Sequence, residues 1–181
     1  MTLNKKNIYK ELNLKYTICF CIKGDEVLMV FRKNEPNKDL WNGLGGKIEK
    51  DETPDESVKR EILEEAGIDL NKSLDFYRPG IVTWKPDLTK DLVLGMYAYI
   101  AVMPKDLEIA SNYKVTEEGE LEWKKISWVC NKKNFSVVNN IPYFLPPMLE
   151  KKIPTDYYFE FENSLTKHFN VHELPDNVSI N

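Results

Sequence analysis

"GKIEKDETPDESVKREILEEAGI", residues 46–68, decides how the rest of the chain is read. Within it, Thr53-Pro54-Asp55-Glu56 carries a helix start: a threonine N-cap, a proline at the first helical position, and a glutamate at the third that closes a capping box. The spacing predicts a helix running to Ala66, ended by Gly67 in the left-handed conformation. Val58, Ile62 and Ala66 recur every four residues and make an apolar stripe. Glu61, Glu64 and Glu65 crowd beside it. At three- and four-residue spacings, like charges cost about 0.2–0.5 kcal/mol per pair in an isolated helix, so something must offset their repulsion. Mg²⁺ takes oxygen ligands, and carboxylates on one helical turn supply several, which reads the cluster as a metal-binding edge. A solvated acidic face is the plainer reading of the glutamates taken alone.

Working outward, "KYTICFCI" and "GDEVLMVFR" are β-rich runs either side of a Gly-Asp turn signal and predict a hairpin. "KNEPNKDLWNG" reads as a polar loop. "LGGKIE" reads as a strand end whose glycines allow a sharp turn or close approach to a ligand. After the helix, "DFYRPGIVTW", "DLVLGMYAYIAVM" and "LEWKKISWV" have strand composition, "NNIPYFLPPMLEKK" a loop entering a short helix, and "DYYFEFE" the alternation of an edge strand. Strands and helices in this mixed order predict an α/β sandwich.

The 181 residues, 42% apolar, suit one domain with a sizeable core, spanning 1–181 with a core at about 15–165 and a tail from about Pro175 that frays. With 25 basic and 29 acidic side chains, a net charge of -4 and no basic stripe, nucleic acid polymers are excluded as partners, while a small polyanion is not, because a bound metal reverses the sign of an acidic pocket. The start, MTLNKKNIYKELNLK, lacks the apolar core of a signal peptide, and no run approaches a membrane span. Cys19, Cys21 and Cys130 form no C-x-x-C pair and are expected to be ordinary thiols, the first two packing in a strand, so a reducing cytoplasm is the expected location. His168 and His172 are four apart, as helical zinc ligands can be, but no third ligand completes a site. Oligomeric state is left open.

The spacing within residues 46–68 resembles the Nudix box: Gly46, five residues, Glu52, seven residues, Arg60-Glu61-Ile62, one residue, Glu64-Glu65, one residue, Gly67-Ile68. A chance match is on the order of 10⁻⁹ per start position, so the joint spacing outweighs the plain reading of each piece. The resemblance implies an α/β/α sandwich with a mixed sheet, and a Mg²⁺-dependent enzyme, Mn²⁺ being possible, that hydrolyses nucleoside diphosphates linked to another group. It implies that Glu61, Glu64 and Glu65 are metal-binding and base residues, Glu61 being the first choice of base and Glu65 the second. Arg60 would orient a glutamate, and the Gly46 carbonyl would reach the metal.

"LWNGLGGKIE", "EEGELEWKKI" and "NNIPYFLPPMLEKK" look like the MutT-type branch, the sanitising triphosphatases that convert 8-oxo-dGTP to the monophosphate and pyrophosphate; this similarity covers residues 15–165. It implies a further metal or base contact at Glu118, five residues before Trp123, with Glu117 and Glu120 as neighbouring candidates. It also matches Asn42 and Asn140 to positions that read a purine edge, and Thr17 and Arg32 to the hairpin bordering the substrate pocket. An asparagine amide donates and accepts together, as an oxidised guanine requires. Each asparagine is equally a turn residue, Thr17 a strand former, and Arg32 a solvated edge cation. The chain departs from the branch at 138–141, where Val138, Asn139, Asn140 and Ile141 replace an aromatic followed by aspartate, which opens the base preference. Two alternatives remain: a Nudix hydrolase of ADP-ribose, a dinucleotide polyphosphate or another nucleoside diphosphate derivative, and a Nudix module that binds nucleotide without cleaving it.

Overall fold

The computed structural model describes residue 12 and residues 14–86, 92–150, 153–162 and 165–174. The N-terminal stretch read above as lacking a leader and the tail expected to fray lie mainly outside these residues.

β1 (Tyr16–Lys23) and β2 (Glu26–Arg32) form the expected hairpin, with Ile22 opposite Val27 and Lys23 opposite Glu26. Gly24 takes φ 63°, the left-handed position that a two-residue hairpin turn demands. The strands then diverge. β2 pairs antiparallel with β6 (Gly119–Lys125) and, on its other side, with the short β3 (Trp41–Asn42). Into the gap beside β1 runs segment 44–48: the Thr17 N–H donates to the Gly46 carbonyl at 2.9 Å and the Cys19 N–H to the Leu44 carbonyl at 2.7 Å. Gly45 is required here, because a Cβ on it would lie 2.4 Å from the Thr17 carbonyl oxygen.

On the far side of β1, β5 (Leu94–Val102) is parallel to it, β4 (Asp75–Lys85) antiparallel to β5, β7 (Thr155–Glu162) parallel to β4, and β8 (Leu165–Glu173) antiparallel to β7. The order β3-β2-β1-β5-β4-β7-β8, with β6 also on β2, is a mixed sheet. β7 is therefore not the edge strand that its alternation suggested. β8 covers it, and β8 is mostly exposed and polar, so its sequence carries no apolar run to announce it. His168 and His172 lie on this strand, opposite Glu160 and Asp156, rather than on a helix.

Side-chain alternation along β1 divides the core between the two faces of the sheet. Ile18, Phe20 and Ile22 pack with Val82, Ile100, Tyr157, Phe159 and the helix α3 (Ile141–Glu150) through Phe144, Leu145 and Met148. Cys19 and Cys21, both fully buried, face the other way with Leu28, Tyr99 and Leu121, against Val58, Ile62 and Ala66 of α1 (Pro54–Ala66). A short helical turn, α2 (Ile126–Val129), ends β6 inside what the sequence read as one strand. The result is helix, sheet, helix. Among the described residues, no helix is long and apolar enough to cross a membrane.

Candidate active site

α1 begins and ends where its sequence dictates. Thr53 Oγ1 accepts from the Glu56 N–H at 3.2 Å, Glu56 Oε2 accepts from the Thr53 N–H at 2.8 Å, and Gly67 at φ 66° donates to the Leu63 carbonyl at 3.0 Å. With the apolar stripe turned into the core, the helix carries its glutamates along the edge of segment 44–48.

Arg60 is the hub of that edge. Its Nε and Nη2 donate to both Glu52 oxygens at 2.8 and 3.0 Å, a bidentate pair, while Nη1 donates to Glu61 Oε1 at 2.9 Å and Glu64 Oε2 at 3.2 Å. Nη2 also reaches the Lys47 carbonyl at 3.2 Å. The like-charge repulsion is thus offset first by an internal guanidinium, which pulls Glu52 below the usual carboxylate range. Glu61 sits against Gly46, where an added Cβ would lie 2.5 Å from its carboxyl carbon. The missing side chain makes room for the acid. Burial raises the Glu61 pKa despite Arg60, and pushes the Glu65 carboxyl from its ordinary value of 4.5 to about 8, with repulsion from Glu61 and Glu118 adding to the effect. Glu65 Oε2 accepts from the Gly45 N–H at 3.0 Å, which works in the opposite direction.

Among the described residues, no three His, Cys, Asp or Glu side chains converge into a preformed metal cage. The donor chemistry nevertheless fits a divalent cation: Glu61 and Glu65 are desolvated hard oxygen donors that a cation would relieve, and the Gly46 carbonyl, accepting one hydrogen bond from Thr17, retains a second lone pair. Glu118 is half-exposed, 3.7 Å from Arg32 Nη2, and its backbone carbonyl accepts from the Lys33 N–H at 3.0 Å, which ties its loop to the end of β2.

A cleft of about 560 Å³ opens beside this edge. Thr17, Arg32, Asn42, Gly46 and Asn140, read from distant parts of the sequence, all line it. Thr17 Oγ1 is buried and has no hydrogen-bond partner among the described residues. Arg32 Nε donates to the Pro36 carbonyl at 2.8 Å, and Asn42 Oδ1 accepts from the Gly43 N–H at 2.9 Å. Asn42 and Asn140 are brought together by backbone: the Trp41 N–H donates to the Ser136 carbonyl at 2.8 Å and the Val138 N–H to the Trp41 carbonyl at 3.0 Å. The sequence reading missed the apolar wall formed by Tyr16, Trp84, Met96 and Phe161. These come from four strands and look like ordinary strand residues, so no local pattern marks them.

The NUDIX domain profile matches residues 14–145. The chain belongs to the Nudix family. The oxidized purine nucleoside triphosphate hydrolase of Mus musculus is 36% identical over 56 residues, 31% of this chain and 36% of that protein. The match thus spans about a third of that relative's length. A MutT mutator protein from Bacillus halodurans superposes with a TM-score of 0.69 at 24% identity, covering 88% of this chain and 98% of that one. A bifunctional NMN adenylyltransferase/ADP ribose pyrophosphatase from Francisella tularensis, solved with AMP and a manganese ion, superposes at 0.57 with 20% identity, covering 80% of this chain and 44% of that one. These likenesses establish a shared Nudix fold.

Proposed function

We propose that this Nudix protein is a Mg²⁺-dependent pyrophosphohydrolase that cleaves a nucleoside triphosphate to the monophosphate and pyrophosphate, with 8-oxo-dGTP as substrate and nucleotide-pool sanitation as its role. The observation that carries the reading is the adjacency of two things: the Arg60-ordered glutamates of α1 and a cleft lined by Thr17, Arg32, Asn42 and Asn140.

Glu61, Glu64, Glu65, Glu118 and the Gly46 carbonyl would hold the divalent ion. When bound, it neutralises the leaving diphosphate and acidifies the attacking water. Arg60 holds Oε1 of Glu61, which leaves Oε2 to accept the water's proton. Glu65 stays anchored by the Gly45 N–H at the turn into segment 44–48. Arg32 supplies positive charge at the cleft, and the amides of Asn42 and Asn140 read the base edge. The short match to the mouse hydrolase supports an oxidised purine.

A panel assay tests this: pyrophosphate release from normal and oxidised nucleotides with Mg²⁺, with an oxidised purine expected to turn over best. An absence of preference would remove the substrate and leave the hydrolase. The apolar side chains of Val138 and Ile141 at the cleft, in place of charged base readers, favour a second reading in which another diphosphate-linked nucleoside such as ADP-ribose is cleaved. Including ADP-ribose and a dinucleotide polyphosphate in the panel separates the two.

A further inference from the structure

α1 is tied to the sheet at its N-terminal end by side chains that the proposed reaction does not use. Tyr99 on β5 is 1% exposed, and its phenol donates to Oδ1 of Asp55, the second residue of α1, at 2.6 Å. Arg78 Nη1 donates to the same phenol at 3.3 Å and stands 3.5 Å from Asp55 Oδ1. The guanidinium lies 5.4 Å from the Tyr97 ring centroid and 5.7 Å from that of Tyr99, and Phe76 stacks on Tyr99 with centroids 5.4 Å apart. Arg78 belongs to the stretch of β4 between Tyr77 and Gly80 where the ladder to β5 shifts register. Pro79 has no N–H to give to a ladder there, and an irregularity of this kind re-aims the neighbouring side chain. Burial and the adjacent carboxylate raise the Tyr99 phenol well above its ordinary range, so it remains a donor.

The physical need for such a tie comes from the rest of the helix. Val58, Ile62 and Ala66 hold α1 by apolar packing, which is non-directional and resists sliding weakly. A short hydrogen bond is directional. Glu61 lies six residues beyond Asp55, about 9 Å along the axis, and its carboxylate fills a space bounded by Gly46. An error of about 1 Å in placing a reacting group costs up to about 100-fold in rate.

We infer that Tyr99, Asp55 and Arg78 are positioning residues that fix where α1 stands on the sheet, and hence where Glu61 and Glu65 meet the metal and the diphosphate. The inference rests on the reading of the site given above. Its test compares Tyr99→Phe and Asp55→Ala with Asp55→Asn, which keeps an Oδ1 acceptor, and with Val129→Ala in the opposite core layer as a control for general destabilisation. Two readouts are taken: Mn²⁺ binding to the protein alone by electron paramagnetic resonance, and kcat and KM for the best nucleotide of the panel. Tyr99→Phe and Asp55→Ala are expected to weaken Mn²⁺ binding and lower kcat by about tenfold each, with nucleotide KM within about twofold of wild type, while Asp55→Asn retains most of both. Wild-type values in Tyr99→Phe and Asp55→Ala, or an equal loss in Val129→Ala, would overturn the inference. A wild-type protein without divalent-dependent turnover would instead remove the reading of the site, so the two failures are distinct.

Discussion

At one end of the cleft, Glu52, Glu61 and Glu64 come from a single short stretch and are joined through Arg60 by hydrogen bonds of 2.8–3.2 Å, while Glu65 beside them accepts from the Gly45 N–H at 3.0 Å. At the other, Asn42 at the end of β3 and Asn140 in the turn before α3 lie far apart in the sequence, meet through two backbone bonds to Trp41, and share the cleft with an apolar wall drawn from four strands. The first arrangement is fixed by helical geometry and charge. The second exists only once the sheet has formed. The contrast predicts that changes at the acidic edge cost turnover, whereas changes at the amide end redistribute preference among substrates.

The largest effect belongs to Glu61→Gln, which should lower kcat by about 10³-fold or more in a folded protein, since the proton acceptor is removed. Stopped assays with circular dichroism check both halves. Wild-type turnover in this variant would erase the contrast at its strongest point. Next is Gly46→Ala: the added methyl meets the Glu61 carboxyl carbon at 2.5 Å, so the acid must move, and kcat should fall by about 100-fold. At the amide end, Asn42→Ala and Asn140→Ala should each raise KM for the preferred base by about tenfold, leaving Mn²⁺ binding unchanged. If either variant instead abolished metal binding, the two ends would not be separable.

How much of this was legible beforehand follows from the same contrast. The capping box, the stripe of Val58, Ile62 and Ala66, and the stop at Gly67 are local devices, and each reappears in the structure at the residue that encodes it. The spacing of Glu61, Glu64 and Glu65 pointed to a metal edge, although Arg60 had not been credited with engaging Glu61 and Glu64 together. β7 was misplaced because its sequence records only its own alternation, and what makes it internal is β8, a polar strand contributed later in the chain. Tyr16, Trp84, Met96 and Phe161 share a wall through pairings that no local pattern states. For the same reason the Tyr99–Asp55–Arg78 tie left no trace in the sequence, since it joins two strands and a helix through a register shift.

The smallest effect is one of stability and pH. Glu65 has a native pKa near 8 against an ordinary 4.5, so in that window the folded protein holds a proton that the unfolded chain has lost. Without divalent ions, stability should therefore fall as pH rises from about 4.5 through about 8. Melting curves across that range check it, and Glu65→Gln should flatten the slope. A slope that Glu65→Gln leaves unchanged would show that Glu65 is solvated and ionised in the native state, and the acidic edge would lose the charge burial that sets it apart from the amide end.

The central claim is that α1 holds a divalent ion against a diphosphate. A Mn²⁺ titration followed by electron paramagnetic resonance, with and without a non-hydrolysable nucleoside triphosphate, tests it most directly. Wild-type protein should bind Mn²⁺ saturably, more tightly with the nucleotide present, and Glu65→Gln should lose most of that binding. Equal binding by the two proteins, or none that the nucleotide strengthens, would contradict the account.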